Sequence, residues 1–229
     1  VVIPLEIPVP RELDLVHLRK WVRQRLPATE EQRSQLLAAI GAWQRLHRGR
    51  AKRGDLQLVV DAAMSQYSAI WCTGAELLGR LISAAPGAKE AFEQAVKRGN
   101  AAQRWHLNTG LYDCLDRDFS REMLRQSLHD KSAAVRERAS EKIQQLAFVE
   151  LVGDMLEREK IETRPRTLEM IQHNRLLLSQ GWYALTHQGQ MRMIIRCSDG
   201  GISSKRVTSD ELEHQTLDEI AHDRQMALI

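Results

Sequence analysis

Over residues 123–146 the apolar positions recur at helical spacing twice. Met123, Leu124 and Leu128 share one face, and after a polar break at His129, Asp130 and Lys131 a second face follows in Val135, Ala139, Ile143 and Leu146, at steps of four, four and three. The pattern predicts two short helices joined by a tight turn. Ser132 is placed to accept the first free amides of the second helix, and Asp130 sits favourably beside the positive end of its dipole. Two such helices cannot hide their apolar faces on each other alone, so the unit calls for similar neighbours on both sides.

The neighbours are in the sequence. Leu15, Leu18 and Val22 mark a first amphipathic helix that stops at Leu26 before Pro27, and Thr29 with Gln32 is a capping box opening a second one with Leu36, Ile40, Trp43 and His47 on a face. Asp55 is placed to cap a helix carrying Leu56, Val60, Ala63, Met64 and Tyr67. Thr73 with Glu76 reads as another capping box, starting a helix with Leu77, Leu78, Leu81 and Ile82. Pro86 suits the first turn of a helix through Ala88, Phe92 and Val96, and Asn100 caps one running to residue 115 through Leu107, Leu111 and Cys114. AAQR at 101–104 aligns with AAVR at 133–136. At the same offset Phe92, Val96, Arg104, Leu107 and Leu111 superpose on Leu124, Leu128, Arg136, Ala139 and Ile143, which is the signature of an array.

Beyond residue 146 the match weakens. Residues 148–159 read as helix, and Thr163 with Pro165 opens another through Leu168, Ile171 and Leu178. Then the period changes from 3.6 to 2. Residues 182–187 and 191–196 read as strands around a turn containing Gly189, with a second turn at 199–201 and a third strand over 202–207. Thr208 with Glu211 is a third capping box, stapled by Val207 against Leu212, and begins one closing helix.

The set Leu124, Leu128, Asp130, Val135, Arg136, Ala139 and Ile143 resembles a HEAT repeat, a helical hairpin of α-solenoid proteins that commonly has Asp in its turn and Val-Arg early in its second helix. The resemblance implies a mainly α fold: a HEAT-like α-solenoid of helical hairpins with a small C-terminal β-hairpin and helix module. In that reading residues 1–54 are an N-terminal arm and capping helices, 55–180 the repeats, and 181–229 the terminal module. HEAT-like solenoids serve as scaffolds, adaptors, inhibitors and occasionally nucleic-acid enzymes, and the function expected here is an adaptor or scaffold that binds another protein, with no cofactor and no catalysis.

Composition narrows the rest. With 229 residues, 43% hydrophobic and 28% charged, the chain has the make-up of a folded protein. Its apolar runs are far shorter than the roughly 20 residues that cross a bilayer, so no membrane partner is expected. The opening VVIPLEIPVP reads as an extended arm without the basic flank of a signal peptide, and the missing first Met reads as a processed or excised chain. Cys72, Cys114 and Cys197 fit neither a CxxC pair nor a disulfide framework, which suits a reducing, cytoplasmic setting. Net charge is a modest +3, but residues 1–54 hold eleven Lys and Arg against five Asp and Glu.

Candidate chemistry falls on two stretches. On the helix from Ala101, Leu107 and Leu111 define the buried side, so Trp105 and Tyr112 fall nearly opposite, with Arg104 and Asn108 at the edge. The aligned surface of the next unit carries Arg136, Glu137, Ser140 and Gln144, and Arg104, Trp105, Asn108, Tyr112, Arg136, Ser140 and Gln144 together make a partner-binding groove of aromatic, basic and amide groups. Against this, Trp105 can pack on the adjacent repeat. Asp130, Arg104 and Arg136 can likewise form the ion-pair ladder seen in HEAT-like arrays. The run Arg45, Arg48, Arg50, Lys52 and Arg53 is a candidate for nucleic-acid phosphates, or else a solvated helix end. Metal-ligand spacing and the GxSxG, Walker, GxGxxG and HExxH signatures are missing from the sequence. The chain is also similar in length and helical layout to the HEAT-like alkylpurine DNA glycosylases, which use Trp and Asp on a basic face. It departs from them in having Thr109 where that family has Asp one turn after the Trp, and in the terminal hairpin.

Overall fold

A computed structural model describes residues 13–24, 26, 28–197 and 202–226. The expected arm at 1–10, the stop at Pro27 and the turn at 199–201 lie outside them. The described chain is mainly helical, with twelve α-helices and a three-stranded antiparallel sheet near the C-terminus. Its contacts divide it into two compact units, one reaching to Lys142 and one beginning at Ile143.

The first unit opens with α1 (Leu15–Gln24) and α2 (Glu30–His47), the latter started by the Thr29/Gln32 capping box the sequence predicts. It continues with α3 (Asp55–Ala63), α4 (Ser68–Leu81), α5 (Ala88–Arg98) and α6 (Ala101–Gly110), then α7 (Arg117–Ser127) and most of α8 (Ala133–Gln145). Packing runs along two rows. α4 lies against α2 on one side and α6 on the other, while α3 lies against α5, and neighbouring helices α3 and α4, α5 and α6 pair as hairpins. Leu36, Ile40, Val59, Val60, Ile70, Leu77, Leu78, Phe92, Leu107, Leu111, Leu124, Val135 and Ala139 are buried in this unit, each on the apolar face its helix period marks.

Four local expectations are corrected. Thr73 is not a helix start: it lies inside α4, which begins five residues earlier after Tyr67, because nothing at 68–72 interrupts helical bonding. Asp55 is the first helical residue, not a cap. Gly54, at φ 87°, makes the entry, and the Asp55 carboxylate instead accepts from Arg45 and the Lys52 amide. The helix from Ala101 tightens after Gly110 into a 3-10 turn over Leu111–Asp113. Pro86 precedes α5 and is followed by Gly87 at φ 77°.

Glycine lets two helices touch. A Cβ on Gly79 of α4 would stand 2.0 Å from the Gly110 carbonyl oxygen, and one on Gly110 would stand 2.2 Å from the Ala75 carbonyl oxygen. The α4 and α6 backbones therefore meet directly, and this sets how closely the side chains on either flank approach.

In the second unit α9 (Val152–Ile161) and α10 (Pro165–Ser179) precede β1 (Trp182–His187), β2 (Gln190–Arg196) and β3 (Ile202–Arg206), paired in the order β1-β2-β3. Trp182 opposes Ile195 across the first pair and Ile194 opposes Ser204 across the second. Gln188 and Gly189, both at positive φ, make the two-residue hairpin turn. The single closing helix divides into α11 (Ser209–His214) and α12 (Leu217–Met226), since Thr216 and Glu219 form a further reciprocal cap between them. Met193, Ile195, Val207, Ile220 and Ala221 close the core beneath the sheet. Leu212, expected to staple to Val207, stays largely exposed.

Candidate functional site

The helix faces of α4, α6 and α8 that turn away from the core bring together an aromatic and cationic cluster. Trp71 of α4 stacks flat on His106 of α6, with ring centres 4.1 Å apart and planes 6° from parallel. Trp105 meets Trp71 edge-on at 5.2 Å, and the Arg138 guanidinium lies over the Trp105 ring at 3.7 Å. Farther along, the Lys142 ammonium stands 5.1 Å from the centre of the Tyr112 ring. Both tryptophans and Tyr112 are half-buried. Arg138 also reaches Glu141 at 2.8 Å.

Charge at one end of the cluster is strongly perturbed. Arg80 of α4 bridges two carboxylates, Glu76 at 2.9 Å and Asp113 at 3.2 Å. Burial lifts the Asp113 carboxyl to about 6, with Glu76 adding to the rise and Arg80 and Lys142 opposing it. Burial pushes the Lys142 ammonium and the Arg138 guanidinium downward. It also keeps His106 below its ordinary value, so that the ring against Trp71 is neutral at pH 7. Asp113 and Arg80 open on a cleft of about 370 Å³ whose wall includes Trp43, His47 and Arg48. Trp43 and His47 stack there at 4.9 Å.

The seven groove residues expected from sequence part company. Trp105 and Tyr112 lie in the cluster. Arg104 faces inward and holds the fold: its Nε and Nη2 donate to Asp130 at 2.6 and 2.8 Å and its Nη1 to the Gly99 carbonyl at 2.7 Å. Arg136 donates to the Asp130 carbonyl at 2.7 Å. Asp130 is thus shared by two arginines, through its carboxylate for Arg104 and its backbone for Arg136. Asn108 is buried and accepts from the Ser127 hydroxyl at 3.0 Å. Arg136, Ser140 and Gln144 are buried too, which corrects their placement on a binding face. The reason is that α8 is covered around most of its circumference, and a single apolar stripe misjudges the phase of such a helix by about one residue. The half-exposed positions are Glu137, Arg138, Glu141 and Gln145.

The basic run also splits. Arg45 is bound by the buried carboxylate of Asp55, with Nε to Oδ2 at 2.9 Å. Arg48, Arg50, Lys52 and Arg53 are exposed and enter no ion pair among the described residues.

Trp71, Arg138, Lys142 and Asp113 are site residues that the sequence pattern did not single out. Trp71 was hidden by the misplaced helix start at Thr73, although it precedes Trp105 at nearly the repeat spacing. Asp113 was hidden by the 3-10 turn, which re-aims the residues after Gly110. No family model matches the chain, and neither a curated protein nor a solved structure matches it.

Proposed function

We propose that the first unit is a HEAT-like row of helical hairpins acting as a non-enzymatic adaptor, and that it docks a partner protein on the patch built by Trp71, Trp105, Tyr112 and Arg138, with Lys142 buried behind Tyr112. The observation that carries this reading is the interlocked Trp71, Trp105 and Arg138 group, supplied by three successive second helices. Trp, Tyr and Arg are the residues on which binding energy concentrates in protein interfaces. Mutual stacking already fixes their rotamers, so docking loses little side-chain entropy. The arrangement of α2, α4 and α6 in one row with α3 and α5 in another supports the repeat reading.

The test is capture of partners by the immobilised chain with and without nuclease, comparing wild type with Trp105→Ala and Arg138→Ala after both variants are shown to keep wild-type helical content. Protein capture should survive nuclease and fall by about tenfold or more in both variants. Capture unchanged by either substitution would rule the patch out.

One observation favours nucleic acid as a second reading. Arg48 from the exposed basic run lines the cleft beside the Trp43–His47 stack, and cations beside flat rings suit an unpaired base and its phosphate. Single-stranded DNA binding should then weaken steeply between about 50 and 200 mM salt and be lost on joint reversal of Arg48, Arg50 and Arg53 to Glu. A shallow salt response would dismiss it.

A further inference from the structure

The second unit contains a charged group without a counterpart. Arg196, the last residue of β2, is 3% exposed, and its Nε, Nη1 and Nη2 are all buried with no hydrogen-bond partner among the described residues. Its backbone is fixed, since its amide donates to the Gly181 carbonyl at 2.8 Å and its strand position pairs with Ile202. Elsewhere in the chain half-buried arginines are matched: Arg104 by Asp130, Arg175 by Glu159 and Arg158 by Glu162. A guanidinium cannot escape its charge by losing a proton at physiological pH, and leaving all its donors dry is strongly unfavourable.

Arg196 lines a cavity of about 540 Å³, the right size for a small molecule. One wall is apolar, formed by Leu177, Leu178 and Trp182. The rim is acidic, carrying Asp218, Glu219 and Asp223 of α12. Glu219 is engaged in capping Thr216, Asp223 accepts from Gln215 at 2.9 Å, and among the described residues no carboxylate, Asp218 included, forms an ion pair with Arg196. The site is therefore bipolar, with one buried cation at the base and carboxylates at the mouth. A polyanion such as a nucleotide would be repelled at the rim. A ligand with one anionic and one cationic end matches both.

We propose that this cavity binds a small zwitterion of the amino-acid type, with its carboxylate paired to the Arg196 guanidinium and its ammonium facing the acidic rim. The planar fork of arginine suits a carboxylate in two parallel hydrogen bonds, and the apolar wall would receive the side chain.

The experiment is calorimetric titration of the full chain with each standard L-amino acid. It is repeated for any binder with the matching deaminated acid, the matching decarboxylated amine and inorganic phosphate. At least one amino acid should bind, the deaminated acid more weakly, and the amine and phosphate not measurably. Arg196→Met should weaken binding by about a hundredfold or more while leaving the thermal midpoint at or above that of wild type, because it removes a buried charge that has no internal partner. The exposed pair Asp218→Asn and Asp223→Asn provides a check independent of folding at the buried position. It should weaken the amino acid by about threefold to fivefold and leave the deaminated acid unaffected. The proposal is overturned if no amino acid binds, if phosphate or the amine alone binds as tightly, or if Arg196→Met keeps the affinity.

Discussion

Asp113 and Asp130 show how two aspartates in one unit come to opposite roles. Asp113 is desolvated beside Glu76, and its folded pKa of about 6 stands above the ordinary 3.8. Its protonated form is favoured by the fold, so its contribution to stability is fullest below about pH 3.8 and is lost as pH rises through about 6. Relative to Asp113→Asn, the wild type should gain about 1–2 kcal/mol as pH falls from 7 to 4, after allowance for solvent screening of a group near the surface. Urea midpoints at the two pH values measure this, and a constant difference between the proteins would refute it. Asp130 is held low: burial opposes its charge, but Arg104 and the Ser132 amide outweigh burial. Removing it strands a mostly buried guanidinium, so Asp130→Ala should cost roughly 3 kcal/mol in chemical denaturation. Reversing the exposed Arg48 or Arg53 should change stability by no more than about 0.5 kcal/mol.

At the scale of elements, the crossing of α4 and α6 governs the candidate site, because Trp71 and Trp105 project from those two helices. Gly110→Ala would thrust a methyl group to 2.2 Å from the Ala75 carbonyl oxygen and push the helices apart. A loss of about 3 kcal/mol or more is expected, in line with forced overpacking of a backbone contact. It should come with a weakened Trp71–Trp105 contact, visible as altered near-ultraviolet circular dichroism. By contrast, Asn100→Ala removes one reciprocal cap of α6 and should cost about 1 kcal/mol without moving that signal. Two variants of one helix thus separate its stability from the geometry it imposes.

For the whole molecule, the presence of two compact units has a measurable consequence. Ile195 is fully buried beneath the sheet with Met193, Val207 and Ile220. Ile195→Ala should remove about 2–5 kcal/mol from the second unit. Hydrogen exchange should then speed up across β1 to α12 while amides of α3 and α4 retain their protection, since local opening follows the cooperative units of a structure. Equal acceleration in both units would show that they unfold as one. Among the described residues, no helix is long and apolar enough to cross a membrane.

The sequence by itself determined most helices, the β-hairpin and the caps at Thr29, Asn100 and Thr208. These depend on signals within a few residues of one another: the 3.6 and 2 periods, Thr29 with Gln32, Asn100, Thr208 with Glu211 and the turn at Gly189. It also marked Trp105, Tyr112 and a shared role for Asp130 and the two arginines. Tertiary structure alone decided which polar residues face water. A helix covered on several sides, as α8 is, buries Arg136, Ser140 and Gln144 along with its apolar stripe, and periodicity cannot report a second covered side. The same holds for the partners of charges. Arg104 meets Asp130 across 26 positions and Arg80 meets Asp113 across 33, whereas the Arg196 side chain has no hydrogen-bond partner among the described residues, and pairings at such distances are set by packing rather than by local sequence.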